Sequence, residues 1–143
     1  MRSGELCTRR VVTADPGESV VTAARRMTSE DVGDLVVVER IGDKVHPIGI
    51  ITDRDLVTGA LVLGDARTLS LTVRDLMQQP LVTAMEEDAA ELVLAKLKRH
   101  HIRRIPIVDK EGALQGILTL DDLVGWIREQ IDDATEVFEP MRL

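Results

Sequence analysis

One pattern occurs twice in this chain. Residues 12–56, continuing to Val57, contain Thr13, then VGDLVVV at 32–38 and GIITDRDLV at 49–57. Residues 82–123, continuing to Val124, contain Thr83, then IRRIPIV at 102–108 and GILTLDDLV at 116–124. Thr13 matches Thr83 and Met27 matches Leu97 at an offset of 70, while Gly49 matches Gly116, Thr52 Thr119 and Asp55 Asp122 at 67. One loop has therefore absorbed three residues. A duplication of this period predicts two similar supersecondary units, neither able to bury its apolar face alone, stacked about a pseudo-twofold axis. The groove they share is the place to look for function.

A chain of 143 residues is long enough for one packed domain made of two half-size repeats, and too short for two independent ones. Apolar residues make up 44%, but Trp126 and Phe138 are the only aromatics, so the core must be built from Val, Leu, Ile and Ala. Stacking platforms for single-stranded nucleic acid are missing, and a net charge of −7 opposes attraction to a polyanion. The expectation is no nucleic-acid partner. Cys7 is the single cysteine, which excludes a disulfide framework and a thiolate zinc cluster and fits a reducing, cytoplasmic setting. Neither a signal-peptide core nor a membrane-spanning apolar run is present, so a soluble, unexported chain without a membrane partner is expected.

Each repeat reads as strand, helix, strand, strand, helix. The first strand, 11–13, ends at the breakers Asp15-Pro16-Gly17, after which a helix opens at Glu18 or Ser19 with a buried stripe Val20, Ala24, Met27. Ala90, Leu94 and Leu97 keep that stripe in the second repeat. Residues 35–39 and 47–51 form a hairpin about Gly42-Asp43, and 105–108 with 114–118 form its counterpart about 109–112. The second strand of each pair runs into Thr-x-x-Asp and a helix, over 56–63 and 123–131. Between the halves, the amphipathic piece 73–77 is expected to pack on the second repeat. The acidic tail after 131, broken by Pro140, is expected to be ordered only where something covers Val137 and Phe138.

The ordered set of hairpin, apolar strand and Gly-h-h-Thr-x-x-Asp (h being apolar), present twice, resembles a tandem pair of CBS domains, a Bateman module. The resemblance spans about residues 7–130, with borders at 7–65 for repeat 1, 66–76 for a connector, 77–131 for repeat 2 and 132–143 for the tail. It implies an α+β fold of tandem β-α-β-β-α repeats with pseudo-twofold symmetry, sheets packed together and helices outside, and often a homodimer. It further implies a regulatory module that binds an adenine nucleotide (AMP, ADP or ATP) between the repeats and acts on a regulated protein not present in this chain. No obligatory cofactor or metal is implied. Repeat 1 departs from the family at Val36, where repeat 2 has Pro106.

Thr52 and Thr119 stand where a strand meets a helix N-terminus, whose free N–H groups and dipole suit a phosphate. Asp55 and Asp122, three residues on, could accept from both hydroxyls of a ribose. The same spacing is also a capping box, in which threonine and acid only close the helix start. Both readings stand.

By the family's arrangement, the Thr-x-x-Asp of one repeat works with strands of the other. Site 1 then combines Ile50, Thr52, Arg54 and Asp55 with Val82, Ile102, Arg103, Arg104, Ile105 and Pro106. Site 2 combines Ile117, Thr119, Asp121 and Asp122 with Val12, Val32, Gly33, Asp34 and Leu35. Three arginines gather at the first, whereas the second has three carboxylates and no arginine, so a nucleotide should prefer site 1.

Arg103 and Arg104 could equally form a solvated basic edge beside His100 and His101. Those adjacent histidines point about a third of a turn apart on a helix and lack a third ligand nearby, so a metal role is not expected. His46 has no evident partner. Cys7 aligns with Met77, suggesting a buried or pocket-edge position, and Trp126 is expected to pack against the core or a dimer mate. No Ser/His/Asp set, phosphate-binding loop or zinc-protease histidine pair occurs, so catalysis is not expected. The competing function is a ligand-free dimeric scaffold whose Thr-x-x-Asp elements only cap helices.

Overall fold

The computed structural model describes residues 1–79 and 81–138. The first half contains helix α1 (Ser3–Leu6), strand β1 (Thr13–Ala14), helix α2 (Val20–Glu30), strands β2 (Asp34–Ile41) and β3 (Lys44–Thr52) and helix α3 (Asp53–Gly59). A 3-10 turn (Leu61–Leu63) and helices α4 (Arg67–Ser70) and α5 (Val73–Leu76) lead to the second half. There β4 (Ala84–Met85), α6 (Ala90–His100), β5 (Arg104–Val108), β6 (Leu114–Thr119) and α7 (Leu120–Phe138) repeat the order. The fold is the expected α+β duplication.

Each half makes a three-stranded sheet, β1-β2-β3 and β4-β5-β6, parallel at the first pairing and antiparallel at the second. Both hairpins shift register at the same repeat position, 37/38 and 107/108, and the longer β2–β3 ribbon absorbs the three-residue difference. Gly42 (φ +66°) and Gly112 (φ +84°) occupy left-handed turn positions that glycine adopts without steric cost.

Ser19 caps α2 by accepting the Thr22 N–H at 3.1 Å. Both α2 and α6 close through a left-handed residue at the same repeat position, Asp31 (φ 54°) and His101 (φ 53°), so His101 is a cap beyond the helix rather than its last turn. The buried stripes are Val20, Ala23, Met27 and Ala90, Val93, Leu97. This corrects the expected Ala24 and Leu94, which lie half-buried on the flank: i+3 and i+4 share one broad helix face, and here the sheet takes i+3.

The helix expected over 56–63 ends at Gly59 and tightens into the 3-10 turn. A side chain at Gly59 would come within 2.6 Å of Leu76 Cδ2, so α5 packs directly over that end. Helix α7, by contrast, continues through 131 to Phe138, with Val137 and Phe138 exposed at 69% and 59%. The expected break at Pro140 lies outside the described residues.

Two cores form, one per sheet, and each is completed by a segment from the other side of the duplication. Val73 and Met77 sit in the first core with Leu35, Val37 and Ile51. The α5 segment therefore packs on the first repeat, not on the second as expected. The reason is local hydrogen bonding: Val20 N–H donates to Leu71 O, Val73 N–H to Glu18 O and Gln78 N–H to Ile50 O, which fasten the connector back onto the unit it leaves. In mirror fashion, Leu6 and Cys7 pack on the second core, Thr8 bridges Ile117, and buried Ser3 donates to Met85 O at 2.6 Å. Trp126 packs against this second core, as expected.

Candidate functional site

The two units meet along β3 and β6, and clefts open on both sides of the junction. The larger, of about 610 Å³, is lined by Ile50, Thr52 and Arg54 from the first repeat and by Val82, Ile102, Arg103 and Arg104 from the second. Those seven were assigned to site 1 from sequence. Its remaining three do not line the cleft. Ile105 and Pro106 are fully buried in the strand, where Pro106 faces Ile117 in the ladder, and Asp55 is held at the helix start.

Both carboxylate oxygens of Asp55 accept hydrogen bonds. Its Oδ2 accepts the Thr52 N–H at 2.8 Å, while Thr52 Oγ1 accepts the Asp55 N–H at 3.1 Å, a complete capping box. Gln78 Nε2 also donates to Asp55 Oδ1 and Oδ2, at 3.2 and 3.1 Å. Thr119 and Asp122 form the matching reciprocal pair at 3.0 and 3.1 Å. The capping reading thus describes both motifs as they stand, and Thr52 and Thr119 nevertheless line the clefts. Each junction is fixed further by its neighbour: Asp53 N–H donates to Gly33 O at 2.9 Å and Leu120 N–H to Arg103 O at 2.7 Å.

Gly33, Asp53, Gln78, Leu81 and His101 complete the larger cleft, and sequence reading did not assign them to it. A signal for Gln78 did exist, since it follows Met77 as Thr8 follows Cys7 in the repeat alignment. Ile50, Leu81, Val82 and Ile102 supply apolar surface, and three guanidinium groups supply positive charge.

The smaller cleft, of about 290 Å³, gathers Val12, Val32, Gly33, Asp34, Ile117 and Thr119 from the site 2 assignment, together with Thr8 and Val11. Leu35 is buried in the first core, Asp121 is exposed away from the lining, and Asp122 is occupied in its cap. One expectation needs correcting: this cleft does contain arginine, because Arg10 and Arg104 both line it. Arg104 forms an ion pair with Asp34, and Arg10 with Glu30 at 2.5 Å. Strand β5 begins beside the pseudo-twofold axis, so a residue assigned to one site also reaches its twin.

Among the described residues, no three His, Cys, Asp or Glu side chains gather as a metal-holding group, and no helix is long and apolar enough to cross a membrane. A separate apolar groove of about 240 Å³ runs between α2 and α3, lined by Val20, Val21, Ala24, Leu56, Val57 and Leu61.

Comparison with known proteins gives the same duplication independently: the CBS domain family matches residues 4–61 and 73–129. The uncharacterized protein MK0525 of Methanopyrus kandleri is 37% identical over 121 residues, 85% of this chain and 60% of that protein. The chain thus spans less than two thirds of that relative. Among solved structures, the CBS domain pair of protein MJ0100, in complex with 5′-methylthioadenosine and S-adenosyl-L-methionine, shares the fold at a TM-score of 0.75 and 23% identity, covering 91% of this chain and 98% of that one. The CBS domain protein PAE2072 from Pyrobaculum aerophilum, complexed with AMP, superposes at a TM-score of 0.73 with 25% identity, covering 85% and 89%.

Proposed function

The chain belongs to the CBS domain family, and from that premise we propose that it is a regulatory module that takes AMP, ADP or ATP into the larger inter-repeat cleft and transmits occupancy to a partner protein. The observation that carries this reading is the cleft itself: about 610 Å³ of partly apolar space with Arg54 beside the Thr52 junction of the first repeat and Arg103 and Arg104 on the second. Pockets of this size that combine apolar walls with few convergent polar groups suit small ligands. The AMP complex of PAE2072 supports the choice of ligand class.

The base would lie on Ile50, Val82 and Ile102, and the phosphate among the arginines, each well-placed charge-assisted hydrogen bond contributing about 1.5–3 kcal/mol. A ribose would reach Asp55 by replacing the Gln78 amide as its donor. Regulation then needs only a ligand that favours one arrangement of the two repeats over another. No catalytic step is part of the proposal, and a homodimer in a reducing cytoplasm is the assembly it envisages. Exposed Val57, Leu61 and Val62 around the α2–α3 groove are the apolar surface a second copy would cover.

The scaffold reading draws on the two reciprocal capping boxes, in which each threonine hydroxyl and each aspartate carboxylate already serves its own helix start. Thermal unfolding across a nucleotide panel separates the two. A ligand at 100 times its dissociation constant adds about 2.7 kcal/mol to stability, so a clear upward shift is expected with at least one adenine nucleotide. A flat panel selects the scaffold.

A further inference from the structure

We propose that Arg104 is a single anion anchor shared by the two clefts, with Asp34 deciding which cleft uses it, so that one chain holds one nucleotide phosphate at a time. This inference rests on the nucleotide reading above. Asp34 and Arg104 are the same position of the two repeats, 70 residues apart, each opening the middle strand of its sheet. A pseudo-twofold axis brings such equivalent positions face to face. A faithful copy would set two acids or two bases against each other, whereas here the two copies carry opposite charges and form an ion pair.

The pair is lopsided. Asp34 is 9% exposed and lines only the smaller cleft; the Arg104 side chain is 38% exposed and lines both. A guanidinium carries five N–H donors in a planar fork, so Arg104 can hold the Asp34 carboxylate with one part and present the rest to a phosphate. In the larger cleft that phosphate would also meet Arg54 and Arg103, whose two charges outnumber the one carboxylate lining it, Asp53. In the smaller it would meet the Asp34 carboxylate, which repels it, and Arg10, which Glu30 already engages. One guanidinium at the junction cannot serve two dianions, which would also repel one another across it.

Titration calorimetry of the full chain with AMP and with adenosine tests this. The wild type is expected to bind one AMP per chain, at least about tenfold more tightly than adenosine, the advantage of a charge-assisted phosphate contact. Asp34→Asn should strengthen AMP binding by about threefold or more, by removing a nearby like charge, and leave adenosine unchanged. Arg104→Gln should cancel most of the advantage of AMP at unaltered adenosine affinity. Because that variant leaves a buried carboxylate without its partner, Asp34→Asn/Arg104→Gln is measured beside it, with the same expectation. Two AMP molecules of equal affinity per wild-type chain overturn the shared anchor while the nucleotide reading stands, and so does an intact AMP advantage in the double variant. Binding of neither AMP nor adenosine overturns the nucleotide reading and the anchor with it.

Discussion

Cys7 packs its sulfur against the face of Gly116, so closely that a Cβ at 116 would lie 2.6 Å from Sγ and 2.7 Å from Thr8 O. Gly49 and Met77 repeat the contact in the other half, where the added carbon would meet Met77 Sδ at 2.9 Å. Gly116→Ala is expected to destabilise the fold by about 1–3 kcal/mol, since both obstructing groups belong to a packed segment bridged to β6. Gly49→Ala should cost less, because a methionine end can swing aside. Urea unfolding of the two variants side by side reads the difference, and equal losses would refute the asymmetry.

Burial pushes the Cys7 thiol above its ordinary value of 9.0, with smaller opposing help from Arg9. A raised thiol pKa means the folded state favours the neutral form. That contribution is fully present below pH 9 and is lost as pH climbs through the folded value. Reaction with an aromatic disulfide reagent at pH 8 should therefore be about tenfold or more slower than for the urea-unfolded chain. Equal rates would mean that the N-terminal segment carrying Leu6 and Cys7 does not stay docked on the second core.

The Asp34–Arg104 pair should couple in a double-mutant cycle. Arg104→Ala strands a carboxylate that is 9% exposed, and is expected to cost about 1–3 kcal/mol, a figure reduced by the solvent access of the arginine. Asp34→Ala strands a group that can reach water and should cost less. Asp34→Ala/Arg104→Ala is expected to fall well short of the sum of the single losses, by about 0.5 kcal/mol or more. Additive losses would deny the contact.

Thr52→Ala and Thr119→Ala each remove the side-chain acceptor of a reciprocal cap and should each cost about 1 kcal/mol in thermal or urea unfolding. Only Thr52→Ala is expected to weaken AMP as well, because Thr52 lines the larger cleft. AMP affinity reduced equally by both variants would move the ligand from that cleft.

Much of the structure was legible because it is written in local periodicities. Alternation and β-branching marked the hairpins, Gly42 and Gly112 marked their turns, and the Thr-x-x-Asp junctions are the helix starts of α3 and α7. The buried stripe was missed within one broad helix face: Ala23 and Ala24, a third of a turn apart, both fall on its apolar side, and only the sheet beneath selects one. The cleft was legible where the family resemblance carried it, to Ile50, Thr52, Arg54, Val82 and residues 102–104. Gln78 was overlooked because its one signal is its place after Met77 in the repeat alignment, and His101 because a left-handed helix cap carries no motif.

Sequence alone determined that there are two copies of one unit and where the strands, turns and helix starts of each lie, since those depend on neighbours a few residues away. Only the tertiary structure decided that α5 turns back onto the first core, that Cys7 closes the second, and that Asp34 meets Arg104. Those outcomes depend on how two nearly equivalent surfaces dock about an axis. Two copies with the same pattern offer each segment two similar places to pack, and the choice rests on contacts between residues far apart in the chain.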